Sequence, residues 1–290
     1  MQAELIVDCK NLHGEGAIWQ HEKGLLWWVD INGKALWSYD PVSKKSRSHS
    51  MPERICCAVP RQDKGWIIAF EQNLVLTDDL ESGDFTVIHT YEPNNRGSRF
   101  NDGRTDRKGR LIIGGMNEAS GAADTSVLRV DADLSVHELI FDVSCSNSTC
   151  FSPVGDVMYF TDTPEKTIRA YSYDQDTGSL ISMRYLADMS DEPGLPDGSC
   201  VDEEGYLWNA EWEGRRVVRI APDGTIDRII EVPVWKPTCC TFGGPDLDTL
   251  YITTSQLASS REILDREPQS GGLFAVKPGV RGVVDTPFAG

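Results

Sequence analysis

Short, strand-like apolar runs recur along this chain at a nearly constant interval: Leu25–Asp30, Trp66–Glu71, Leu111–Met116, Val157–Asp162, Tyr206–Glu211 and Thr249–Thr254. Their starting points lie 41, 45, 46, 49 and 43 residues apart, so six copies of one unit account for the 290 residues. Turn-forming residues precede the runs, as in Glu22–Gly24, Asp63–Gly65, Arg107–Gly109 and Glu203–Gly205, which suits tight hairpins. A second strand-like run follows most of them (Ala35–Asp40, Val127–Asp131, Ile168–Tyr173, Val217–Ile220, Leu273–Val276), and a further one often comes next, as in Phe85–Ile88 and Ile226–Ile230. Apolar spacing of three and four is nowhere sustained beyond a couple of turns, which argues against a helical architecture. Repeats of about 40–50 residues carrying four short antiparallel strands point to a β-propeller, in which each blade hides its faces against its neighbours. The expectation is therefore an all-β fold, a six-bladed β-propeller with four antiparallel strands per blade and residues 1–290 forming one domain. A β-sandwich would explain the strands but not their period. The strand-like piece Ala3–Cys9 precedes the first repeat and is expected to pair with the last blade, closing the ring and removing an exposed edge.

With 28 basic and 45 acidic residues the net charge is -17, so the surface repels phosphate backbones and anionic lipid heads. Neither nucleic acid nor a membrane is an expected partner, and apolar stretches such as Gly24–Val29 and Val157–Phe160 fall far short of the roughly 18 residues that a spanning segment requires. Met1–Asp8 has neither the basic and apolar regions of a secretory signal nor the Arg-rich character of a transit peptide, which predicts a cytoplasmic protein. Nothing in the sequence marks an oligomer, and a monomer or weak oligomer is expected. Of the eight cysteines, Cys56 and Cys57 are adjacent, as are Cys239 and Cys240, which suits reduced, buried thiols better than a disulfide framework. Cys145 and Cys150 stand too far from other soft ligands for a zinc site.

Equivalent positions of the repeats should converge on the propeller axis. Ten residues before the runs that start at 25, 66, 111 and 157 stand Glu15, Cys56, Asn101 and Asn147, and nine before Tyr206 stands Asp197. Four of these five side chains carry oxygen donors. Asn-Asp-Gly and Pro-Asp-Gly are each ordinary turn formers, but turns alone do not explain oxygen donors in matching register. A ring of carboxylate and amide oxygens on one axis suits a hard divalent cation, which wants oxygen ligands and neutralises carboxylates that would otherwise repel. Other chemistry is absent: there is no Gly-rich phosphate loop before a Lys, no Gly-x-Ser-x-Gly elbow and no His-Glu-x-x-His. His13, His21, His49, His89 and His137 are scattered singly, and His13, close to a proposed ligand, is expected at the rim of the site rather than as a base. Asn147-Ser148-Thr149 matches a glycosylation acceptor, a match of little weight without a secretory signal.

These residues carry a family resemblance. Gly14-Glu15-Gly16, the Arg99–Gly103 segment with Asp106 and Gly109-Arg110, Asn147 before Phe151–Pro153 and Tyr159–Asp162, Pro196–Gly198 with Asp202, and Phe242–Asp246 resemble the senescence marker protein, regucalcin and gluconolactonase family, in order and at family-like spacing over nearly the whole chain. The resemblance implies a six-bladed propeller with one divalent metal on its axis and, in many members, sugar lactonase activity. Carried over motif by motif, it implies that Glu15, Asn147 and Asp197 bind the metal, that Asp197 doubles as the catalytic acid/base, and that Arg99 and Asn101 contact substrate. A further acidic substrate contact falls on Glu118, with Ala119 as the neighbouring register. Two positions depart from the family pattern: Ala17 stands where Pro is usual, and Gly115 where Thr is common in Gly-Thr-Met.

The activity so implied is metal-dependent hydrolysis of a sugar lactone (an aldonolactone, pentonolactone or hexonolactone) to its acid, with the Asp197-Gly-Ser-Cys200 and Lys236-Pro-Thr-Cys239 stretches closest to bacterial sugar-acid lactonases. Two carboxylates and one amide suit calcium, magnesium, manganese, iron or zinc alike. Rival readings are organophosphate triester hydrolysis on the same metal floor and a non-catalytic metal- or protein-binding propeller. The segments Asn94–Ser98, Glu118–Asp124 and Asp191–Leu195 are expected to line the mouth.

Overall fold

The computed structural model describes residues 1–290. Six four-stranded antiparallel sheets make a six-bladed β-propeller, and five of them are built from consecutive strands. The sixth takes Pro237–Gly243, Thr249–Thr254 and Leu273–Val276 from the C-terminal part and Glu4–Val7 from the N-terminal part, with Leu5 opposite Phe274. The expected closure of the ring is therefore present, and it leaves no blade with a missing outer strand.

The recurrent apolar runs are the second strands of the blades; Leu25–Asp30, Val157–Asp162 and Thr249–Thr254 coincide with strands end to end. The strands before them, Gly14–Gln20, Ile55–Pro60, Ser98–Thr105, Ser146–Phe151, Leu195–Val201 and Pro237–Gly243, lie innermost. Flanked by neighbours on every side, inner strands are mostly buried, Ile55–Pro60 at every residue, whereas the outermost strand Lys45–Ser50 is largely exposed and polar. Aromatic side chains weld adjacent blades: Trp27 meets Trp66 edge-on with centroids 4.7 Å apart, and Trp208 meets Phe242 at 5.6 Å. Each such pair adds about 1 kcal/mol beyond its buried area.

Side chains from the repeat itself close the hairpins between inner and second strands. Asp106 Oδ1 accepts from the amides of Lys108 and Arg110, and Asp202 Oδ1 from those of Glu204 and Tyr206. Ser152 Oγ does the same for Gly155 and Val157. The one α-helix, Arg261–Arg266, lies between two strands of the sixth blade and is capped by Ser260. No helix is long and apolar enough to cross a membrane. All eight cysteines are unpaired, as expected of reduced thiols.

The C-terminal tail has no counterpart in the repeat and was not legible as an element. It bonds to the turns at the far ends of the inner strands: Glu203 N donates to Arg281 O, Phe288 N to Pro60 O, and Ala289 N to Gly109 O. Asp285 reaches into the channel from that side. Its carboxylate pairs with Arg104 at 2.5 Å and accepts from Trp19 N at 3.1 Å and Thr241 Oγ1 at 3.3 Å. The Arg104 guanidinium also donates to Ala17 O at 3.0 Å.

Removing one partner of this enclosed pair strands the other. Asp285→Ala should cost about 3 kcal/mol of unfolding free energy, read from urea unfolding, and the double variant Asp285→Ala/Arg104→Met should recover much of that loss. A single variant as stable as the parent would show that the pair is solvated rather than enclosed.

Candidate active site

A register shift interrupts the pairing of every inner strand near its start: between Glu15 and Ile18, Ile55 and Cys57, Phe100 and Gly103, Asn147 and Cys150, Pro196 and Ser199, and Pro237 and Cys240. A bulge bends its strand and re-aims the side chains it carries. The sixfold bulge is thus the local reason that residues at one repeat position face the axis. It also demands small neighbours. Gly16 sits at φ +57°, and a Cβ on Gly198 would lie 2.7 Å from the Cys239 side chain.

Glu15, Arg99, Asn101, Glu118, Asn147 and Asp197, all the residues singled out in the sequence, line one cavity of about 280 Å³. That is the small end of the range for ligand pockets. A larger open groove of about 650 Å³, lined by His89, Glu92 and Phe141, holds none of these oxygens.

Hydrogen bonds fix how the axial donors are turned. Asn147 Nδ2 donates to Thr163 Oγ1 at 2.9 Å, and Thr163 Oγ1 donates to Pro196 O at 3.0 Å, so the amide nitrogen is committed outward. Its Oδ1 accepts one bond from Asn101 Nδ2 at 3.1 Å and keeps a second lone pair. Glu15 Oε2 accepts from Gly16 N at 2.9 Å. Asp197 is held through its backbone carbonyl, which accepts from Ser148 Oγ at 2.7 Å and Asn209 Nδ2 at 3.0 Å.

The two carboxyls are close enough to share a proton and have no cation paired with them. Burial, then the nearby Asp102 carboxylate, pushes Glu15 up to about 8. Burial, then Glu15 itself, pushes Asp197 well above the usual carboxylate range. Asp102, the residue after Asn101, was missed in the sequence; it accepts from Thr149 N at 2.8 Å and deepens the negative potential behind the pair. No three His, Cys, Asp or Glu side chains gather to hold an ion by themselves. The donor set is instead two carboxylates completed by the Asn147 amide oxygen, all hard oxygens. Buried, mutually repelling and partly unsatisfied, these groups fit a divalent cation.

Beside the axial pair stands a charged wall. Arg99 donates from Nε to Glu118 Oε1 at 3.1 Å, and from one terminal nitrogen, Nη1, to Asn101 Oδ1 at 2.8 Å and Phe100 O at 2.9 Å. Glu118 Oε2 is 2.8 Å from Arg54. Half-burial alone would raise Glu118, but the Arg99 and Arg54 cations overcome it and hold its carboxyl below the ordinary range. Asn101, with both amide hydrogens donated to Ser146 O and Asn147 Oδ1, links this wall to the axial set.

The opposite wall comes from residues that repeat counting did not reach: His13, Leu195, Trp212 and Leu257, with Met116, Cys145 and Thr163 between. Met116, Thr163, Trp212 and Leu257 stand at or just beyond the ends of second strands, so counting forward from the apolar runs would have found them. The expectation for His13 needs correction. It is not at the rim but buried at 7% exposure, because its backbone bridges to Ser255 of the sixth blade and its ring packs edge-on against Trp212, centroids 5.6 Å apart. Burial, then the Arg99 charge, pushes it down to about 3. Of the expected mouth segments, Glu118 and Leu195 line the cavity, and no residue of Asn94–Ser98 does.

Residues 13–256 match the family described as SMP-30/Gluconolactonase/LRE-like region. The chain belongs to this family. An L-arabinolactonase of Azospirillum brasilense is 36% identical over 292 residues, covering 100% of this chain and 96% of the relative. A regucalcin of Xenopus laevis is 32% identical over 297 residues, covering 100% and 99%. A crystal structure of a calcium-binding protein, regucalcin, from Agrobacterium tumefaciens superposes with a TM-score of 0.93 at 29% identity, covering 99% of this chain and 97% of that one. Glu15, Asn147 and Asp197 line one cavity in this chain with Ala17 and Gly115 at the two positions that depart from the expected pattern.

The raised carboxyls set a sign for pH dependence. Both bind their protons more tightly folded than unfolded, so their contribution to stability is full below the unfolded value, 4.5 for Glu15, and is lost as pH rises towards about 8. The thermal midpoint of chelated protein should therefore fall across that window, and a saturating divalent cation should flatten the fall. A midpoint indifferent to pH in chelator would refute the uncompensated buried pair.

Proposed function

We propose that the chain is a metal-dependent lactonase that opens a small sugar lactone to its acid. The observation that carries this reading is the meeting, in one cavity, of the Glu15–Asp197–Asn147 oxygens with the hydroxyl-binding groups Arg99, Asn101 and Glu118. The relatives named for arabinolactone and pentonolactone hydrolysis support the substrate class. A divalent cation held by Glu15, Asn147 and Asp197 would supply Lewis-acid polarisation of the lactone carbonyl and hold both carboxyls ionised.

Asp197, which lines the cavity and is held through its own carbonyl, takes a proton from water. As the water oxygen bonds to the carbonyl carbon and the ring C–O bond breaks, that proton passes to the departing ring oxygen, leaving a hydroxy acid. Ionised Glu118 accepts from sugar hydroxyls, and Arg99 and Asn101 orient the ring. Relatives named for lactone hydrolysis favour this reading over the organophosphate one. A purely metal-binding role leaves the Arg99–Glu118 wall without purpose.

Acid release from a panel of pentonolactones and hexonolactones, with and without chelator, tests the reading. Asp197→Asn should lower kcat by about 10²–10⁴. Arg99→Ala removes charge-assisted bonds and should raise KM by about tenfold or more with a smaller change in kcat. Hydrolysis that survives full metal removal, or equal kinetic defects in the two variants, would contradict the roles assigned.

A further inference from the structure

We infer that His13 is a specificity-determining residue of this cavity, its Nε2 presenting a hydrogen-bond acceptor to one hydroxyl of the sugar. This deepens the lactonase reading and rests on it.

The geometry fixes which ring nitrogen carries the proton. Nδ1 lies 2.9 Å from Ser255 Oγ. Ser255 Oγ is also 3.0 Å from Leu12 O, a pure acceptor, and accepts from Leu257 N at 2.9 Å. A hydroxyl has one proton. Every one of these contacts is a hydrogen bond only if Ser255 donates to Leu12 O and accepts from Nδ1–H. The ring proton therefore sits on Nδ1, and Nε2 is left with a lone pair. Nε2 has no protein partner and is not among the buried orphaned atoms, and His13 is a lining residue of the cavity, so the lone pair is open to a ligand there.

The ring is fixed in place. Trp212 packs against it at 85°, and the backbone bridge to Ser255 holds its strand. No carboxylate is bonded to it, its Nδ1 contact being the Ser255 hydroxyl, and it is nearly enclosed. A charge buried without an anionic partner is costly, so the ring stands as a neutral imidazole. Across the cavity the wall is Arg99, Asn101 and Glu118, so a sugar ring lying between them meets polar groups on one side and Trp212, Leu257 and the single Nε2 acceptor on the other. An acceptor fixed in this way takes a hydroxyl proton, offers nothing to a deoxy carbon, and repels an anionic substituent.

Two substitutions separate the two nitrogens. His13→Asn retains a polar group near Nδ1 that can bond Ser255 and leaves the place of Nε2 empty. His13→Gln can carry its side-chain oxygen to the place of Nε2 and gives up the ring. The experiment measures kcat/KM of the full-length parent and both variants on an aldonolactone opened by the parent and on its monodeoxy analogues, with thermal midpoints alongside. The parent should discriminate against one deoxy analogue by at least about tenfold. His13→Asn should bring that ratio close to one, and His13→Gln should keep most of it. The opposite pattern, with the ratio kept by Asn and lost by Gln, would make His13 an anchor for Ser255 and overturn the role, as would a ratio that neither variant changes. A parent that opens no lactone would overturn the lactonase reading and this role with it.

Discussion

Six inner strands sharing one axis leave room for only a few side chains on it, and whatever stands there must tolerate its neighbours at close range. Here two of those side chains are carboxylates, Glu15 and Asp197, with a third, Asp102, behind them. Water shields them little, since Glu15 is 8% and Asp197 5% exposed, and no lysine or arginine pairs with the axial two. In the folded chain they therefore hold protons or a cation. The rest of the site is arranged around that conflict: the Asn147 amide is turned by Thr163 to show its oxygen, and the Arg99–Glu118 pair is self-neutralised beside it.

The propeller was legible because its unit is repeated, and each copy supports the interpretation of the others. The second strands showed most clearly, as their cores are apolar and their preceding turns carry Asp, Ser or Gly. The axial residues followed from simple counting because the bulge occurs at the same place in every inner strand, so sequence offset and spatial position stay in step. Where a feature belongs to no repeat, counting had nothing to hold. Arg104 and Asp285 meet across 181 residues. His13 is drawn into the wall by Ser255, 242 residues away, and a residue beside a ligand in sequence looked like rim until that contact was known. Asp102 was read as half of an Asn-Asp-Gly turn, and it is the bulge that turns it inward.

The two walls of the cavity differ in how they were built. The charged wall rests on side chains within one blade and its neighbour, with Arg99 bonded to both Asn101 and Glu118. The other wall is a seam between the fifth, sixth and first blades, where Trp212, Leu257 and His13 meet. Ring closure by Glu4–Val7 completes the sixth blade and so supports this seam, linking the integrity of the outermost strand to the shape of the pocket.

The tail anchored by Asp285 has a consequence for traffic. By stoppering the tunnel at its far end it turns a potential through-passage into a blind well, with a single doorway for arrivals and departures. A molecule that has gone in leaves by the way it came.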